Sequence, residues 1–315
     1  MSDAASRRYR QYAGLSIVLV AYLGGIVGWS WAAFSAMDES APADSSQAQE
    51  TVIQTTATAE ASPDPEGKGH DAFDRLLARY VDSTGAVDYA ALKQNQEEAL
   101  RPYLRQLASA DLSDRSDDER LALWINAYNA LTLKLIVDHY PVENIWAITP
   151  GPAEPKDDSP FQLEVGTVAD TVRTLDEIEH EIIRERFEEP RIHFALVCAA
   201  DSCPELRREA YTGSRLNDQL DAQGHAFLHD PAKNQIPADE DRIALSRILK
   251  WYGEDFGPTP EAIQRALAPY FEGTVGERLA KGDYAVEFRP YDWALNDQGN
   301  PPASASSEPA SDGSP

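Results

Sequence analysis

Cysteine and basic residues are scarce in this chain of 315 residues. Only two cysteines occur, Cys198 and Cys203, which excludes a multi-disulfide scaffold and a four-cysteine zinc site. Lysine and arginine number 28 against 53 aspartate and glutamate residues, so the formal net charge is -25. A chain this acidic repels phosphate backbones, and we expect no nucleic-acid partner. The acidity also favours a salt-adapted protein, whose carboxylate-rich surface stays solvated in high salt.

Several sequence motifs for nucleotide binding and acyl transfer are also missing. There is no glycine-rich phosphate loop, no Walker motif and no GxSxG elbow. His225 and His229 are one helical turn apart, with Asp221 one turn earlier, which is a spacing compatible with metal binding. Such a row is usually a solvated helix face, so we expect no metal and no cofactor. The hydrophobic content of 42% is nevertheless ample for a packed core.

A long uncharged apolar run lies near the N-terminus, from Ala13 to Met37. A helix of about 20 such residues spans a hydrocarbon core of about 30 Å. Arginines precede the run and acidic residues follow it, so residues 1–12 should be cytoplasmic and the bulk of the chain exported. We therefore predict a single-pass inner-membrane protein with residues 13–37 as a transmembrane signal-anchor and a periplasmic or otherwise extracytoplasmic domain. The alternative is a cleaved signal peptide, for which Ala41-Pro42-Ala43 fits the cleavage pattern.

Composition divides the rest of the chain into three parts. Residues 38–69 are rich in Ala, Ser, Thr, Pro, Gln and Glu and read as a flexible linker. Residues 299–315 have the same character and read as a disordered tail. Between them, residues 70–298 form the predicted globular domain.

Helices are predicted first and short strands later. Helical periodicity marks Ala90–Ala110, Asp117–His139 and Ser214–Leu228, and a capping box of Thr174 with Glu177 opens a helix to about Phe187. Alternation predicts hairpins over Phe161–Arg173 and Gln235–Leu245 and a last strand at Tyr284–Phe288. Arg191–Ala199 is apolar on both faces apart from His193 and predicts a buried central strand. The predicted fold class is α+β, with N-terminal helices packed on an antiparallel sheet.

The segment from His193 to Glu205 is where the sequence best accommodates chemistry. Ser202 with Glu205 is a candidate capping box that would put Cys203 at the first helical position, where the helix dipole favours thiolate. His193 lies on the preceding predicted strand, so a Cys–His pair is one interpretation. The other is that Cys203 packs as a small apolar residue, which we favour. A disulfide between Cys198 and Cys203 in an oxidising compartment is a third.

Two further pairs of polar residues lie in apolar surroundings. Asn126 and Asn129 are one turn apart on a predicted helix, and a buried amide without a partner costs about 1–3 kcal/mol. We expect them to bond to a neighbouring loop rather than to act in catalysis. Glu179 and His180 are adjacent on another helix, so their side chains point in different directions and need not touch.

At these residues the chain resembles the family known as domain of unknown function 547 (DUF547). The resemblance rests on five blocks in order, LALWINAYNALTLKLI, TLDEIEHEIIR, RIHFALVCAADSCPELRREAY, ILKWYGEDF and YDWALND, and covers roughly Phe73 to Asp297. The family's signature positions correspond here to Trp124, Asn126, Tyr128, Asn129, Glu179, His180, His193, Cys203 and Pro204. The resemblance implies no established activity.

Two functions compete at this point. The first is a membrane-anchored module of the cell envelope that binds a peptide, glycan or protein partner without catalysis. The second is a cysteine-dependent hydrolase or acyltransferase acting on amide or ester bonds, with Cys203 as nucleophile and His193 or His180 as base. In the second, Asn126 or Asn129 would orient groups or stabilise an oxyanion, and Glu179 is a further candidate. Contact between Cys203 and an imidazole in an open cleft would discriminate the two.

Overall fold

The computed structural model describes residues 69–148 and 159–299, which form an α+β fold. In chain order the α-helices are α1 (Asp71–Tyr80), α2 (Tyr89–Gln94), α3 (Gln96–Ala99), α4 (Arg101–Ala108), α5 (Asp117–His139), α6 (Leu216–His229), α7 (Ile248–Trp251), α8 (Gly253–Phe256), α9 (Pro260–Leu267) and α10 (Gly273–Lys281). The strands are β1 (Gly166–Val168), β2 (Thr171–Arg173), β3 (Arg242–Leu245) and β4 (Ala285–Phe288). A π-helix spans Glu177–Arg184, and short 3-10 helices include Ile145–Ala147, Pro160–Gln162, Pro190–Phe194, Gly213–Arg215 and Ala268–Tyr270.

The predicted membrane segment lies outside the described residues. So do residues 1–12, almost all of the predicted linker, and the predicted tail beyond residue 299. Within residues 69–148 and 159–299, none of the helices combines the length and the apolar character that crossing a bilayer requires.

Helix α5 forms the centre of the core, and its predicted bounds are confirmed. Its start is defined by a capping box, in which Ser116 Oγ accepts from the Glu119 N–H at 3.2 Å and Glu119 Oε2 accepts from the Ser116 N–H at 2.7 Å. Nearly every residue from Leu121 to Val137 is buried. A helix that is buried on all sides must be packed on all sides, and α5 contacts α2, α4, α6, the π-helix and the 3-10 helix Gly213–Arg215.

The single helix predicted over Ala90–Ala110 is wrong, because three helices occupy that range. The side chain of Asn95 donates to the Ala91 carbonyl at 2.8 Å and ends α2. Pro102 lies in the first turn of α4, where its missing N–H has no intrahelical partner to lose. Asparagine and proline therefore divide a segment whose apolar periodicity is continuous.

The predicted antiparallel sheet is also corrected, because the described strands form two separate pairs. β1 and β2 pair antiparallel as a hairpin, whereas β3 and β4 pair parallel. The hairpin predicted over Gln235–Leu245 is reduced to one antiparallel bridge between Gln235 and Ala244. The last strand is confirmed at β4, but its partner β3 is separated from it along the chain by four α-helices and one 3-10 helix.

The buried strand predicted over Arg191–Ala199 is wrong. A 3-10 helix occupies Pro190–Phe194, and an irregular segment follows it. The backbone there is paired without a neighbouring strand: Asn129 Nδ2 donates to the Ala195 carbonyl at 3.0 Å, and Val197 N–H donates to Asn129 Oδ1 at 2.9 Å. Burial was predicted correctly, but a side-chain amide replaces the strand partner.

The C-terminal segment 294–298 joins three distant parts of the fold by backbone hydrogen bonds. The bonds are Leu295 N–H to the Glu143 carbonyl (3.1 Å), Asn296 N–H to the Ala199 carbonyl (3.0 Å), Asp201 N–H to the Ala294 carbonyl (2.8 Å), Val87 N–H to the Asn296 carbonyl (2.8 Å) and Gln298 N–H to the Val87 carbonyl (3.0 Å). This segment therefore holds the turn after α1 against the turn that carries the cysteines.

Candidate functional site

Asn126 and Asn129 are structural clamps on α5. Asn126 Nδ2 donates to the Tyr211 carbonyl at 2.8 Å, and Tyr211 N–H donates to Asn126 Oδ1 at 2.9 Å. Asn129 makes the equivalent pair of bonds to Ala195 and Val197. Both amides are buried and have their donor and acceptor paired with loop backbone. The predicted bonding to a neighbouring loop is therefore confirmed for both.

Asp255 forms hydrogen bonds to His193, which is a predicted site residue, and to Arg184, which lies on the same π-helix as the predicted Glu179 and His180. His193 Nε2 lies 2.7 Å from Asp255 Oδ2, and Arg184 donates from Nε to Oδ2 at 2.7 Å and from Nη2 to Oδ1 at 2.9 Å. The imidazole is buried, with only 1% of its side chain exposed. Burial acts to raise the pKa of Asp255, but hydrogen bonds from His193 and Arg184 outweigh it and hold that pKa well below the usual value.

Arg184 also sets the tautomer of His180. Its Nη1 lies 2.8 Å from His180 Nδ1. A guanidinium can only donate, so Nδ1 must be the acceptor, and the ring proton of the neutral imidazole is assigned to Nε2. That nitrogen lies 3.7 Å from Asp176 Oδ1, and 27% of the His180 side chain is exposed. His180 is therefore held as a partly exposed N–H donor.

Tyr252 and Glu179 connect these groups to the core. The Tyr252 ring stacks on His193 with 4.0 Å between centroids and lies under the Arg184 guanidinium at 5.4 Å. Glu179 is buried and hydrogen-bonds to the hydroxyls of Tyr128 and Tyr252. Burial first, and the Glu179 carboxylate second, raise the pKa of both tyrosines well above the usual value. Glu179 and His180 thus face opposite ways, one into the core and one towards solvent.

Cys203 does not start a helix, and it is paired with Cys198. The two residues form a disulfide, and their Cα atoms are 6.4 Å apart. The chain reverses at Ala199, whose φ is 65°, and the Cys203 N–H donates to the Ala200 carbonyl at 3.0 Å. This turn replaces the predicted capping box of Ser202 with Glu205. The disulfide, the third of the sequence interpretations, is the one found.

The surroundings of the disulfide contain tyrosine and backbone. Tyr291 Oη lies 3.1 Å from both sulfurs, and the Cys198 N–H donates to Cys203 Sγ at 3.0 Å. Within the described ranges, the hydrogen bonds of Cys203 Sγ do not include an imidazole. The contact between Cys203 and His193 or His180 that a thiol enzyme requires is therefore not formed in this state.

Aromatic side chains extend from Tyr291 to the surface. Its ring packs on Trp251 (4.8 Å between centroids) and on Trp293 (4.6 Å), and Trp293 packs on Trp146 (5.3 Å). All three tryptophans are partly exposed, whereas Tyr291 is buried. Burial first, then the charge of Glu179, raise the pKa of Tyr291 above its usual value.

The sequence analysis did not identify several of the residues that surround Asp255 and the disulfide. Arg184, Tyr252, Asp255 and Tyr291 were not singled out, although ILKWYGEDF and YDWALND contain three of them. The sequence did contain a signal for them. These two blocks carry as many aromatic and acidic residues as the two blocks that contain the histidines and cysteines. What remained hidden was their contact with residues 177–203.

The histidine pair on α6 lies elsewhere and stacks. The rings of His225 and His229 are 4.0 Å apart, and His229 also stacks on Phe271 at 4.5 Å. His229 Nδ1 is bonded to the His225 carbonyl at 2.9 Å. Within residues 69–148 and 159–299, no group of three or more His, Cys, Asp or Glu side chains is arranged to hold a metal ion.

The described residues form an α+β fold that contains a disulfide-closed turn and a His–Asp–Arg network. The family model described as "Protein of unknown function, DUF547" matches residues 112–228, and the family resemblance is confirmed. The match includes α5, the π-helix, the disulfide and α6, whereas Tyr252, Asp255 and Tyr291 follow it in sequence. The comparisons with curated proteins and with solved structures found no match.

The cluster presents hydrogen-bond donors and acceptors at the surface, and the carboxylate of Glu179 is buried beneath them. His180 and Arg184 offer N–H groups, and Asp176 and Asp255 offer carboxylate oxygens, each side chain being between 27% and 32% exposed. Such an arrangement can bind a polar ligand that both donates and accepts hydrogen bonds.

Proposed function

We propose that the protein is an extracytoplasmic module of the cell envelope, tethered to the inner membrane by residues 13–37, whose folded domain binds a partner without catalysis. The observation that carries the proposal is the buried Cys198–Cys203 disulfide. Disulfides persist in oxidising compartments and are rare in the cytosol. This supports the export of the domain that the arginines before residue 13 predict.

The same disulfide supports binding over thiol catalysis. A nucleophilic cysteine must be a thiolate, and a sulfur in a disulfide has no such form. Only 3% of Cys203 is exposed, and its neighbours are Cys198 and Tyr291. The polar cluster, which consists of Asp176, His180, Arg184 and Asp255, offers partly exposed binding groups that do not depend on this sulfur.

Peptide mapping without reduction tests the proposal. The full-length protein is isolated from cells lysed in an alkylating agent, digested and analysed by mass spectrometry. We expect the peptides of Cys198 and Cys203 to be recovered linked, and protease added outside the inner membrane of spheroplasts to digest the domain. Alkylated Cys203 in the isolated protein, or a domain protected from that protease, would contradict the proposal.

The cysteine-dependent hydrolase or acyltransferase is the second candidate, favoured by one contact. The Cys198 N–H points at Cys203 Sγ from 3.0 Å, and such a donor would stabilise a thiolate once the disulfide is reduced. Release of a chromogenic ester or amide leaving group after reduction, lost in Cys203→Ser and retained in Cys198→Ser, would establish it. Unchanged background hydrolysis in all three proteins would leave binding as the function.

A further inference from the structure

Two exposed histidines of α6 form a pair of adjacent imidazoles. His225 and His229 are four residues apart, and side chains at that spacing lie on the same face of a helix. Both residues are exposed, and their rings stack with 4.0 Å between centroids and 12° between planes. Two nitrogen ligands are thereby presented together at a place where a dissolved ion can reach them.

A hydrogen bond of His229 adds what the spacing alone does not give. Its Nδ1 lies 2.9 Å from the His225 carbonyl. A carbonyl oxygen can only accept, so Nδ1 carries the proton, and the lone pair of the neutral ring is assigned to Nε2. A metal-binding histidine commonly donates its other ring N–H in this way, which fixes both the tautomer and the ring orientation.

Stacking holds the His229 ring on both faces. Phe271 stacks on it at 4.5 Å with 24° between planes, and His225 stacks on it at 4.0 Å. Two rings that are nearly parallel to one imidazole occupy its opposite faces, so the edge that carries Nε2 is what His229 offers to the solution. His225 is the outer ring of this stack, and its exposed side chain can turn so that a ring nitrogen converges with His229 Nε2 on one ion.

The nitrogen ligands and the surrounding charge select the kind of ion. Neutral imidazole suits Zn²⁺, Cu²⁺ and Ni²⁺, whereas Mg²⁺ and Ca²⁺ take oxygen ligands. Asp221, one turn before His225, accepts from Arg191 at 2.6 Å, so its carboxylate is already engaged and two protein ligands are counted. The net charge of -25 raises the concentration of cations near the surface.

We propose that His225 and His229 bind one divalent transition-metal ion, with water at the remaining coordination positions. Nε2 of His229 is the fixed ligand, and the His225 ring closes the chelate one helical turn earlier. Chelation makes the second bond intramolecular, so the pair binds the ion more tightly than either imidazole alone. The site lies on α6 and goes beyond the proposed function, which does not depend on it.

Calorimetric titration of the full-length protein with zinc chloride tests this inference. The chain is stripped of metal with EDTA, dialysed into a buffer and a detergent that do not bind metal, and titrated with and without excess magnesium chloride. We expect one saturable Zn²⁺ site per chain that magnesium does not displace. The melting temperature should also rise with zinc, because an ion that binds only the folded helix stabilises it.

Substitutions assign the ion to this pair. His225→Gln and His229→Gln each remove one imidazole, and each should lower the Zn²⁺ affinity by about tenfold or more. His139→Gln is the matched control and should bind Zn²⁺ as the wild type does. His139 is also exposed and bonds through Nδ1 to the carbonyl four residues earlier, that of Leu135, at 2.8 Å, but α5 contains no second histidine. Far-ultraviolet circular dichroism confirms that each variant is folded, and alanine replaces glutamine in any variant that is not.

Four outcomes overturn the inference. They are the lack of a saturable Zn²⁺ site, a site that magnesium displaces, a site whose affinity either substitution in the pair leaves unchanged, and a site that His139→Gln weakens equally. None of them bears on the proposed function, which fails separately if Cys203 is found alkylated or the domain is found on the cytoplasmic side.

Discussion

At the scale of the residue, Asp255 has the largest electrostatic role in the polar cluster. It accepts from both His193 and Arg184, and its carboxylate is partly buried. Removing its charge would deprive the Arg184 guanidinium of the carboxylate to which it donates two hydrogen bonds, and Glu179 would remain as the other acidic charge acting on it. The neighbouring imidazole of His193, which is almost fully buried, would lose its acceptor.

We expect Asp255→Asn to lower the free energy of unfolding by about 1–3 kcal/mol near neutral pH. The pKa of Asp255 is lowered in the folded protein, so its contribution is present above the usual carboxyl pKa of 3.8 and is lost as the pH falls through the folded value. Urea unfolding of both proteins should therefore show a constant difference above about pH 5 that narrows below about pH 4. A difference that grows on acidification would contradict this account. Asp176→Asn serves as the control, because Asp176 meets His180 only at 3.7 Å.

Asn129 is the second residue whose replacement we expect to lower the free energy of unfolding. Asn129→Ala would leave the Ala195 carbonyl and the Val197 N–H buried without partners, and we expect a loss of about 2–4 kcal/mol in unfolding free energy. Thermal or urea unfolding measures it. The exposed Asn217 on α6 is the matched control, and Asn217→Ala should change stability by less than about 0.5 kcal/mol. Equal effects at the two positions would contradict a stabilising role for the hydrogen bonds of Asn129.

These residues also show how far sequence reasoning extends. The need of Asn126 and Asn129 for fixed partners follows from their apolar surroundings, since a buried amide is costly when unpaired. The identity of those partners does not follow, because Tyr211 and Ala195 are brought to α5 by tertiary folding alone. Asp255 was missed for the same reason, since an acidic residue in the short run between Gly253 and Gly257 resembles any solvated carboxylate.

At the scale of the element, the hairpin of β1 and β2 is attached to the end of α4 through its turn. Ala169 and Asp170 have φ values of 48° and 59°, and their N–H groups donate to the Leu107 and Ala108 carbonyls at 2.9 and 2.7 Å. These carbonyls lie in the last turn of α4, and that of Leu107 also accepts from the Ala110 N–H at 3.2 Å. The hairpin thus caps a helix.

Ala169→Gly should stabilise the protein by about 0.5–1 kcal/mol, because glycine adopts a positive φ without the steric penalty of a Cβ atom. Ala91→Gly is the matched control within α2 and should destabilise by about 1 kcal/mol. Differential scanning calorimetry of the two variants should show shifts of opposite sign. Destabilisation by both substitutions would show that strain at Ala169 is not relieved.

Elements were predictable where local chemistry decides them. The capping box of Ser116 with Glu119 and the unbroken apolar run make α5 recognisable, and Thr174 with Glu177 marks the next helix in the same way. Arg191–Ala199 was mistaken for a strand because continuous burial is common to strands and to buried loops. A strand and a buried loop differ in what pairs with their backbone. Here the partner is the side-chain amide of Asn129, which lies about 65 residues away along the chain.

At the scale of the whole molecule, acidic charge dominates. A net charge of -25 repels itself in the compact state, and added salt screens that repulsion. We therefore expect the melting temperature to rise when potassium chloride is increased from about 0.1 M to about 1 M, where the Debye length falls from about 10 Å to about 3 Å. A melting temperature that does not rise would contradict salt adaptation. Sucrose at matched osmolality controls for effects that do not depend on charge.

The C-terminal segment 294–298 has a consequence for the order of events during synthesis. Its partners include Val87, near the start of the described domain, so these hydrogen bonds join the N-terminal and C-terminal parts of that domain. The hydrogen bond between Gln298 and Val87 can form only after Gln298 has left the ribosome. Folding of the described domain is therefore completed last by its C-terminal segment.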